Sequence, residues 1–188
     1  MILGMYLIIV RKNSIIKAWI YALFFKEGIR MAYMALIMLL AGGDQWLKHR
    51  IEAQDPESFP KPLEGSRDRI WIYQNHNPGF PFGFMKRHEE LVRLIPLVLT
   101  SILGGCLIEK EKTKGKYMDK LSLALVIGGS LSNLYDRYVR GYVVDYFSLR
   151  FGPLKKVVFN LGDIFIFLGS GLQAVRFPAA IKEIGKKE

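Results

Sequence analysis

The sequence predicts an all-α membrane protein with four transmembrane helices, a small extracytoplasmic β element and an N-terminal extension. Apolar segments alternate with charged loops along the 188 residues, and 51% of the residues are hydrophobic. The segments approach the length of about 20 residues that spans a bilayer. Basic residues lie just outside the segments, which suits contact with anionic lipid headgroups.

The formal net charge of +10 would suggest a nucleic-acid partner in a soluble protein. Here, however, the basic residues adjoin apolar segments, and the sequence has neither an aromatic and basic platform for single strands nor the ligand spacing of a zinc site. We therefore expect no nucleic-acid partner, no metal and no other cofactor. The single cysteine, Cys106, lies within SILGGCLI. There we expect a small packed hydrophobe rather than a nucleophile or ligand.

Residues 1–30 form the predicted extension. MILGMYLIIV is apolar but is about half the length of a span, and SIIKAWIYALFF resembles an interfacial amphipathic helix. No small-residue cleavage site follows, so a removable signal peptide is not predicted. An alternative of equal weight is that the working protein begins at Met31 or Met34 and that residues 1–30 come from an upstream start codon.

The four-span domain is predicted at residues 31–177, followed by a basic cytoplasmic tail at 178–188. Between the first two spans lies a polar loop that holds most of the prolines. In this loop IWIYQ (70–74) predicts a short strand from its β-branched and aromatic residues, and YVVDYF (142–147) predicts another between the last two spans. The predicted spans are residues 31–47, 91–108, 121–135 and 157–177.

An even number of spans places both termini on one side of the membrane. The lysines of loop 109–120 and of the tail favour the cytoplasm for that side. The loop at 50–87 is also basic, but it is longer and counts less under the same rule. We predict cytoplasmic termini, which places four carboxylates near the outer face, those of Asp44, Asp136, Asp145 and Asp163.

Two of these carboxylates are candidates for catalysis, because ionisable groups at the membrane boundary are costly and usually functional. Asp145 lies on the predicted strand YVVDYF and Asp163 in the first turns of the fourth span, and the turn at Gly152 and Pro153 lets the chain double back between them. Two close carboxylates share one proton. The ionised member can draw a proton from water while the protonated member hydrogen-bonds a scissile carbonyl. Such a pair hydrolyses an amide without a metal.

The residues alone leave other interpretations of these aspartates open. Each could cap a helix at the membrane interface or form an ion pair. For Asp136 the favoured interpretation is pairing with Arg137 or Arg140. For Asp163, in NLGDIFIFLG, a helix N-cap is plausible. Asp145 has no comparable local explanation.

Four motifs occur in order at the ends of the predicted spans. They are DQWLK (44–48), NPGFPFG (77–83), GGSLSNLYDRYVRGYVVDYF (128–147) and FNLGD (159–163). Their order and topology resemble those of the lipoprotein signal peptidases (signal peptidase II), polytopic aspartyl proteases of the bacterial inner membrane. The resemblance covers residues 31–176. It implies a substrate, a prolipoprotein that carries a diacylglyceryl cysteine and is cut just before that cysteine.

By this resemblance the catalytic aspartates fall on Asp145 and Asp163. The amides of Asn133 and Asn160 can donate to substrate carbonyls, and Arg137 can orient a carboxylate. The resemblance also implies a multi-pass enzyme that acts as a monomer among membrane lipids, with its active site near the outer face. Positions that shape the site or bind substrate fall on Asp44, Lys48, Asn77, Gly79, Asn133, Asp136, Arg137 and Asn160.

Phenylalanines at 80, 82 and 84 either cover the site or face acyl chains, and ordinary interfacial aromatics are an equal alternative. The chain departs from the family pattern at four positions. Ser132 adds bulk where helices should approach closely, and Pro81 stiffens the loop over the site. No charged group is lost, so we predict a divergent member, with a non-catalytic paralogue that binds lipoprotein precursors or lipids as the alternative. The four departures are Leu47 for threonine, Pro81 for alanine, Ser132 for glycine and Gly162 for alanine.

Overall fold

The computed structural model describes residues 31–79, 87–111 and 116–184. The described residues form four helices and one small antiparallel sheet, as predicted. The helices are α1 (Met31–Glu52), α2 (Glu89–Glu111), α3 (Tyr117–Val139) and α4 (Leu161–Ile184). The strands are β1 (Lys61–Pro62), β2 (Ile70–Asn77) and β3 (Val143–Leu149), and short 3₁₀ turns lie at Pro56–Ser58 and Gly152–Lys156.

Helix α3 is the centre of the bundle and packs against each of the other three helices. Glycines make its contact with α4 unusually close. A Cβ atom on Gly129 would lie 2.2 Å from the carbonyl oxygen of Gly162, and one on Gly169 would lie 2.5 Å from that of Ser122. Small residues allow such backbone approach. An apolar core beside these contacts contains Ile37, Leu107, Leu123, Ala124 and Ile127.

The sheet has the order β1-β2-β3 and lies at the end of the bundle where α1 and α3 finish and α4 begins. Strand β2 is longer than predicted and continues to Asn77. Its register places Asn75 opposite Asp145, after an irregularity that begins at Ile72. A second apolar cluster of Ile51, Val144 and Tyr146 packs this sheet on the helices.

The fourth helix begins at Leu161, four residues later than the predicted start of the span. Residue Phe159 forms an antiparallel bridge with Phe147 of β3, and the backbone of Phe159 donates to that of Phe147 over 2.8 Å. Because this pairing keeps the preceding residues extended, the helix cannot start earlier. Helix α1 also differs from the prediction, because it continues past residue 47, the predicted end of the first span, to Glu52.

Among the described residues, one helix is long and apolar enough by itself to cross a membrane, Glu89–Lys110 of α2. The charged side chains of Asp44 and Lys48 in α1 and Asp136 in α3 are fully buried, so they do not face the surroundings of the bundle. The expectation of a packed Cys106 is wrong. Cys106 is exposed, because α2 packs chiefly against α3 and leaves its other face uncovered.

Several predictions concern parts of the chain outside the described residues. These are the extension at 1–30, the loop residues Phe80, Pro81, Phe82 and Phe84, and the end of the tail at 185–188. The first part of the predicted tail continues helix α4 as far as Ile184.

Candidate active site

The two candidate catalytic aspartates contact one common residue, Asn160. The Asn160 Nδ2 atom donates to Asp145 Oδ1 over 2.8 Å. Its Oδ1 atom accepts from the backbone N–H of Asp163 over 2.9 Å, and Asp163 Oδ2 accepts from the backbone N–H of Asn160 over 3.2 Å. This reciprocal pair is a capping box at the start of α4. The helix N-cap is therefore Asn160, and Asp163 is its partner in the first turn rather than the cap.

Two further side-chain amides donate to the carboxylate oxygens of Asp145 and Asp163 that do not contact Asn160. Asn77 Nδ2, at the end of β2, donates to Asp145 Oδ2 over 3.2 Å. Asn133 Nδ2, on α3, donates to Asp163 Oδ1 over 2.9 Å. The strand, the central helix and the start of the last helix thus each contribute to one site. Asp145 is 3% exposed, while Asp163 is half-buried.

Burial, followed by the nearby charge of Asp163, raises the pKa of Asp145 to about 7. Hydrogen bonds from Asn77 and Asn160 act in the opposite direction, because they stabilise the carboxylate. A carboxyl group with this pKa keeps its proton up to neutral pH.

Arg137 ties the segment after β2 to helix α3. Its Nη2 atom donates to the carbonyl of Gly79 and its Nη1 atom to the carbonyl of Asn133, each over 3.3 Å. Asn77 Oδ1 in turn accepts from the backbone N–H of Gly79 over 3.0 Å. The side chain that contacts Asp145 is therefore held in place from α3.

Behind the aspartate pair lies a fully buried ion cluster. Lys48 Nζ is 2.9 Å from Asp44 Oδ2 and 2.9 Å from Asp136 Oδ2, and each of the three side chains is 0% exposed. Lys48 also donates to Asn133 Oδ1 over 2.8 Å. Since a lysine only donates, this contact orients the Asn133 amide so that its Nδ2 atom faces Asp163.

Asp136 is paired with Arg140 as well as with Lys48, so the ion-pair interpretation favoured by the sequence is confirmed for this residue. The partner is Arg140 rather than the adjacent Arg137. Asp136 Oδ2 also accepts from the backbone N–H of Val144 over 3.1 Å. Asp136 therefore joins α3 to the strand that carries Asp145.

Gln45 and Tyr146 of this cluster were not singled out in the sequence, and Ser132 was noted only for its bulk. Tyr146 O–H donates to Asp44 Oδ1 over 2.9 Å, and Ser132 O–H donates to Asp44 Oδ2 over 2.6 Å. The extra bulk of Ser132 is thus accommodated by hydrogen bonds between α1 and α3. For Tyr146 a signal existed, because alternation along β3 turns its side chain to the face opposite Asp145, towards the core, where a tyrosine hydroxyl needs a partner.

All eight predicted site-shaping residues lie at this end of the bundle. Asn77, Asn133 and Asn160 contact the aspartate pair directly, and Lys48 acts on it through Asn133. Within the described ranges, no group of three His, Cys, Asp or Glu side chains is placed to hold a metal ion.

Comparison with known proteins supplies the family. The family profile described as Signal peptidase (SPase) II matches residues 35–177. The chain belongs to the signal peptidase II family. The resemblance seen in the four motifs is therefore confirmed, and membership in signal peptidase II indicates a peptidase.

Two similar relatives of this signal peptidase II chain are lipoprotein signal peptidases. That of Halothermothrix orenii is 43% identical over 142 residues, which cover 76% of this chain and 91% of the relative. That of Moorella thermoacetica is 34% identical over 140 residues, which cover 74% and 87%. A solved structure described as a bacterial membrane enzyme has a TM-score of 0.66 at 18% identity and covers 87% of this chain and 95% of its own. At that identity the structural likeness concerns the fold.

Proposed function

We propose that this member of the signal peptidase II family is an intramembrane aspartyl endopeptidase. It removes the signal peptide from diacylglyceryl-modified prolipoproteins and cuts before the lipidated cysteine. The observation that carries the proposal is the single amide of Asn160, which contacts both Asp145 and Asp163 at the sheet end of the bundle. The lipoprotein signal peptidases among its relatives support the substrate class.

Asp163 is the ionised member of the pair. It lies in the first turn of α4, where the helix dipole favours negative charge, and it accepts from Asn133 Nδ2 and from the backbone N–H of Asn160. Asp145 is the protonated member, because burial and the charge of Asp163 raise its pKa to about 7. The two carboxyl groups thus divide the roles of general base and general acid.

The chemistry is the attack of water on the scissile carbonyl carbon. Asp163 takes one proton from the water as the new C–O bond forms, and Asp145 gives its proton to the carbonyl oxygen. When the tetrahedral intermediate collapses, Asp163 delivers its proton to the departing amine, the C–N bond breaks, and the hydroxyl proton returns to Asp145. The pair ends as it began, with one proton between two carboxyl groups.

The remaining site residues hold this geometry and receive the peptide. Asn133 and Asn160 fix the orientation of Asp163, and Asn77 fixes that of Asp145. The bond from Arg137 to Gly79 holds the segment next to Asp145. Because these donors are in place before the substrate arrives, the site is preorganised.

We further propose that all four helices cross the membrane, with both termini cytoplasmic, the aspartate pair near the outer face and residues 31–177 acting as a monomer. The uncovered face of α2 supports a lipid environment, since large apolar side chains are exposed along it. They include Leu94, Val98, Leu99 and Ile102. The hydrocarbon core of a bilayer is the medium that such a face prefers.

The test uses the purified full chain in lipid nanodiscs with a precursor that carries the diacylglyceryl cysteine and with the same precursor unlipidated. We expect cleavage before the cysteine in the lipidated precursor, read by mass spectrometry, and none above background in the unlipidated one. Equal rates on both would remove lipid recognition from the mechanism. Binding of the lipidated precursor without cleavage would instead support a non-catalytic paralogue.

A further inference from the structure

The residue after Asp145 connects the strand that carries Asp145 to the start of the helix that carries Asp163. Tyr146 is 5% exposed and lies on the face of β3 opposite Asp145. Its hydroxyl donates to Asp44 Oδ1 over 2.9 Å and accepts from the backbone N–H of Leu161 over 3.0 Å. One oxygen atom thus connects the strand of Asp145 with helices α1 and α4.

Leu161 is the first residue of α4 and lies two positions before Asp163. Its N–H is one of those that no carbonyl within the helix can satisfy. Here that N–H is shared by the Tyr146 hydroxyl and by Asp44 Oδ1, which is 3.1 Å away. The Tyr146 side chain therefore fixes the position of the first turn of α4 relative to β3.

The anchor of this contact is itself immobilised. Asp44 is 0% exposed. Its Oδ2 atom forms a salt bridge with Lys48 Nζ over 2.9 Å and accepts a hydrogen bond from the Ser132 hydroxyl over 2.6 Å. Because the Asp44 carboxylate is held from α1 and α3, the Tyr146 hydroxyl has one defined place. These contacts therefore hold β3 and the start of α4 at a fixed distance from each other.

We propose that Tyr146 is a positioning residue whose hydroxyl sets the spacing between Asp145 and Asp163, by linking the strand that carries the first to the helix start that carries the second. This inference rests on the proposed function of the aspartate pair.

Removal of the hydroxyl leaves the fold supported. The backbone N–H groups of Tyr146 and Phe147 still donate to the carbonyl of Phe159 over 2.8 and 3.0 Å, and Leu161 N–H keeps its bond to Asp44. The loss therefore falls on the fine position of Asp163 relative to Asp145. A displacement of about 1 Å in such a site is enough to lower a rate by roughly 100-fold.

The experiment compares Tyr146→Phe with Tyr142→Phe as a matched control. Tyr142 also donates to a carboxylate, Glu52 Oε2 over 3.1 Å, but that bond joins the chain before β3 to the end of α1 and involves no residue of α4. We expect Tyr146→Phe to lower kcat on the lipidated precursor by roughly 10- to 100-fold with KM within about 2-fold. Tyr142→Phe should keep kcat within about 2-fold of the wild type.

A second readout is the titration of the aspartate pair, followed by NMR of ¹³C-labelled carboxyl groups. The charge of Asp163 contributes to the raised pKa of Asp145, so a looser pair should titrate at lower pH in Tyr146→Phe and unchanged in Tyr142→Phe. This measurement needs no substrate. If the wild type cleaves no lipidated precursor, the proposed function fails, and the titration still decides whether Tyr146 sets the spacing.

Replacement of Tyr146 by 4-aminophenylalanine restores a donor at the same position and serves if the phenylalanine variant does not fold. We expect it to recover kcat to within about 5-fold of the wild type. Wild-type kcat with an unchanged titration in Tyr146→Phe would overturn the inference. So would an equal loss of kcat in both phenylalanine variants that follows a loss of folded protein.

Discussion

Each end of the helix bundle has a cluster of acidic and basic side chains, and the bases of the two clusters are buried to different degrees. At the sheet end, Lys48 lies between the carboxylates of Asp44 and Asp136, and all three side chains are 0% exposed. At the opposite end, the carboxylate of Asp119 lies between two bases that are 33% and 43% exposed, Lys110 and Arg176.

This difference indicates which of the two clusters has to keep its partners. A buried charge that loses its partner is strongly destabilising, whereas an exposed ion pair contributes about 0–1 kcal/mol. The sheet end therefore tolerates little change, and it is the end that holds Asp145 and Asp163. Lys110 and Arg176, the two partly exposed partners of Asp119, can exchange this contact for water at little loss.

The largest effect is expected at the aspartate pair itself. Asp145→Asn or Asp163→Asn should lower the cleavage rate of a lipidated precursor by at least about 10³-fold, because neither amide can take up or release the shared proton. The amount of folded protein in detergent should stay close to that of the wild type. Cleavage at the wild-type rate by either variant would exclude the mechanism.

Lys48→Met and Lys110→Met compare the two ends directly. Lys48→Met leaves Asp44 and Asp136 without their shared cation and should lower the free energy of unfolding by about 3–5 kcal/mol. Lys110→Met should lower it by no more than about 1 kcal/mol. Denaturant titration in micelles measures both, and equal losses would show that burial does not distinguish the two ends.

Gly129→Ala and Gly171→Ala sharpen the comparison without changing charge. A Cβ on Gly129 would lie 2.2 Å from the Gly162 carbonyl oxygen, next to Asp163, whereas nothing lies within 4 Å of one on Gly171. Gly129→Ala should therefore lower the free energy of unfolding by about 1–3 kcal/mol and slow cleavage. Both variants gain the same helix propensity, so Gly171→Ala should be neutral or stabilising by up to about 1 kcal/mol. A neutral Gly129→Ala would contradict the close packing of α3 on α4.

The smallest effect is a pH dependence. Asp145 must be protonated, and its pKa is raised to about 7, so kcat/KM should fall about tenfold per pH unit well above that pH. Asn77→Ala should move this alkaline limb to higher pH, because the Asn77 hydrogen bond lowers the pKa of Asp145. Lys110→Met, at the far end, should leave the limb in place. An alkaline limb that Asn77→Ala does not move would show that the limb does not report the titration of Asp145.

The sequence by itself predicted the number of helices, the two longer strands and, through the resemblance of its four motifs, the two candidate catalytic aspartates. Apolar segments of near-spanning length, β-branched and aromatic runs, and carboxylates at segment ends are local signals, and such signals do not depend on which elements meet. The motifs then fixed the family, since their order along the chain is also a property of the sequence.

Tertiary structure alone decided where α4 begins, which residue caps it and which hydroxyls reach Asp44. The bridge between Phe159 and Phe147 prevents α4 from starting earlier, and Asn160 caps the helix. The Tyr146 hydroxyl forms hydrogen bonds with residues of α1 and α4. Each of these depends on contacts between residues far apart in the chain. Local patterns carry no distance between such residues, and a buried polar group takes whichever partner the packing brings within reach.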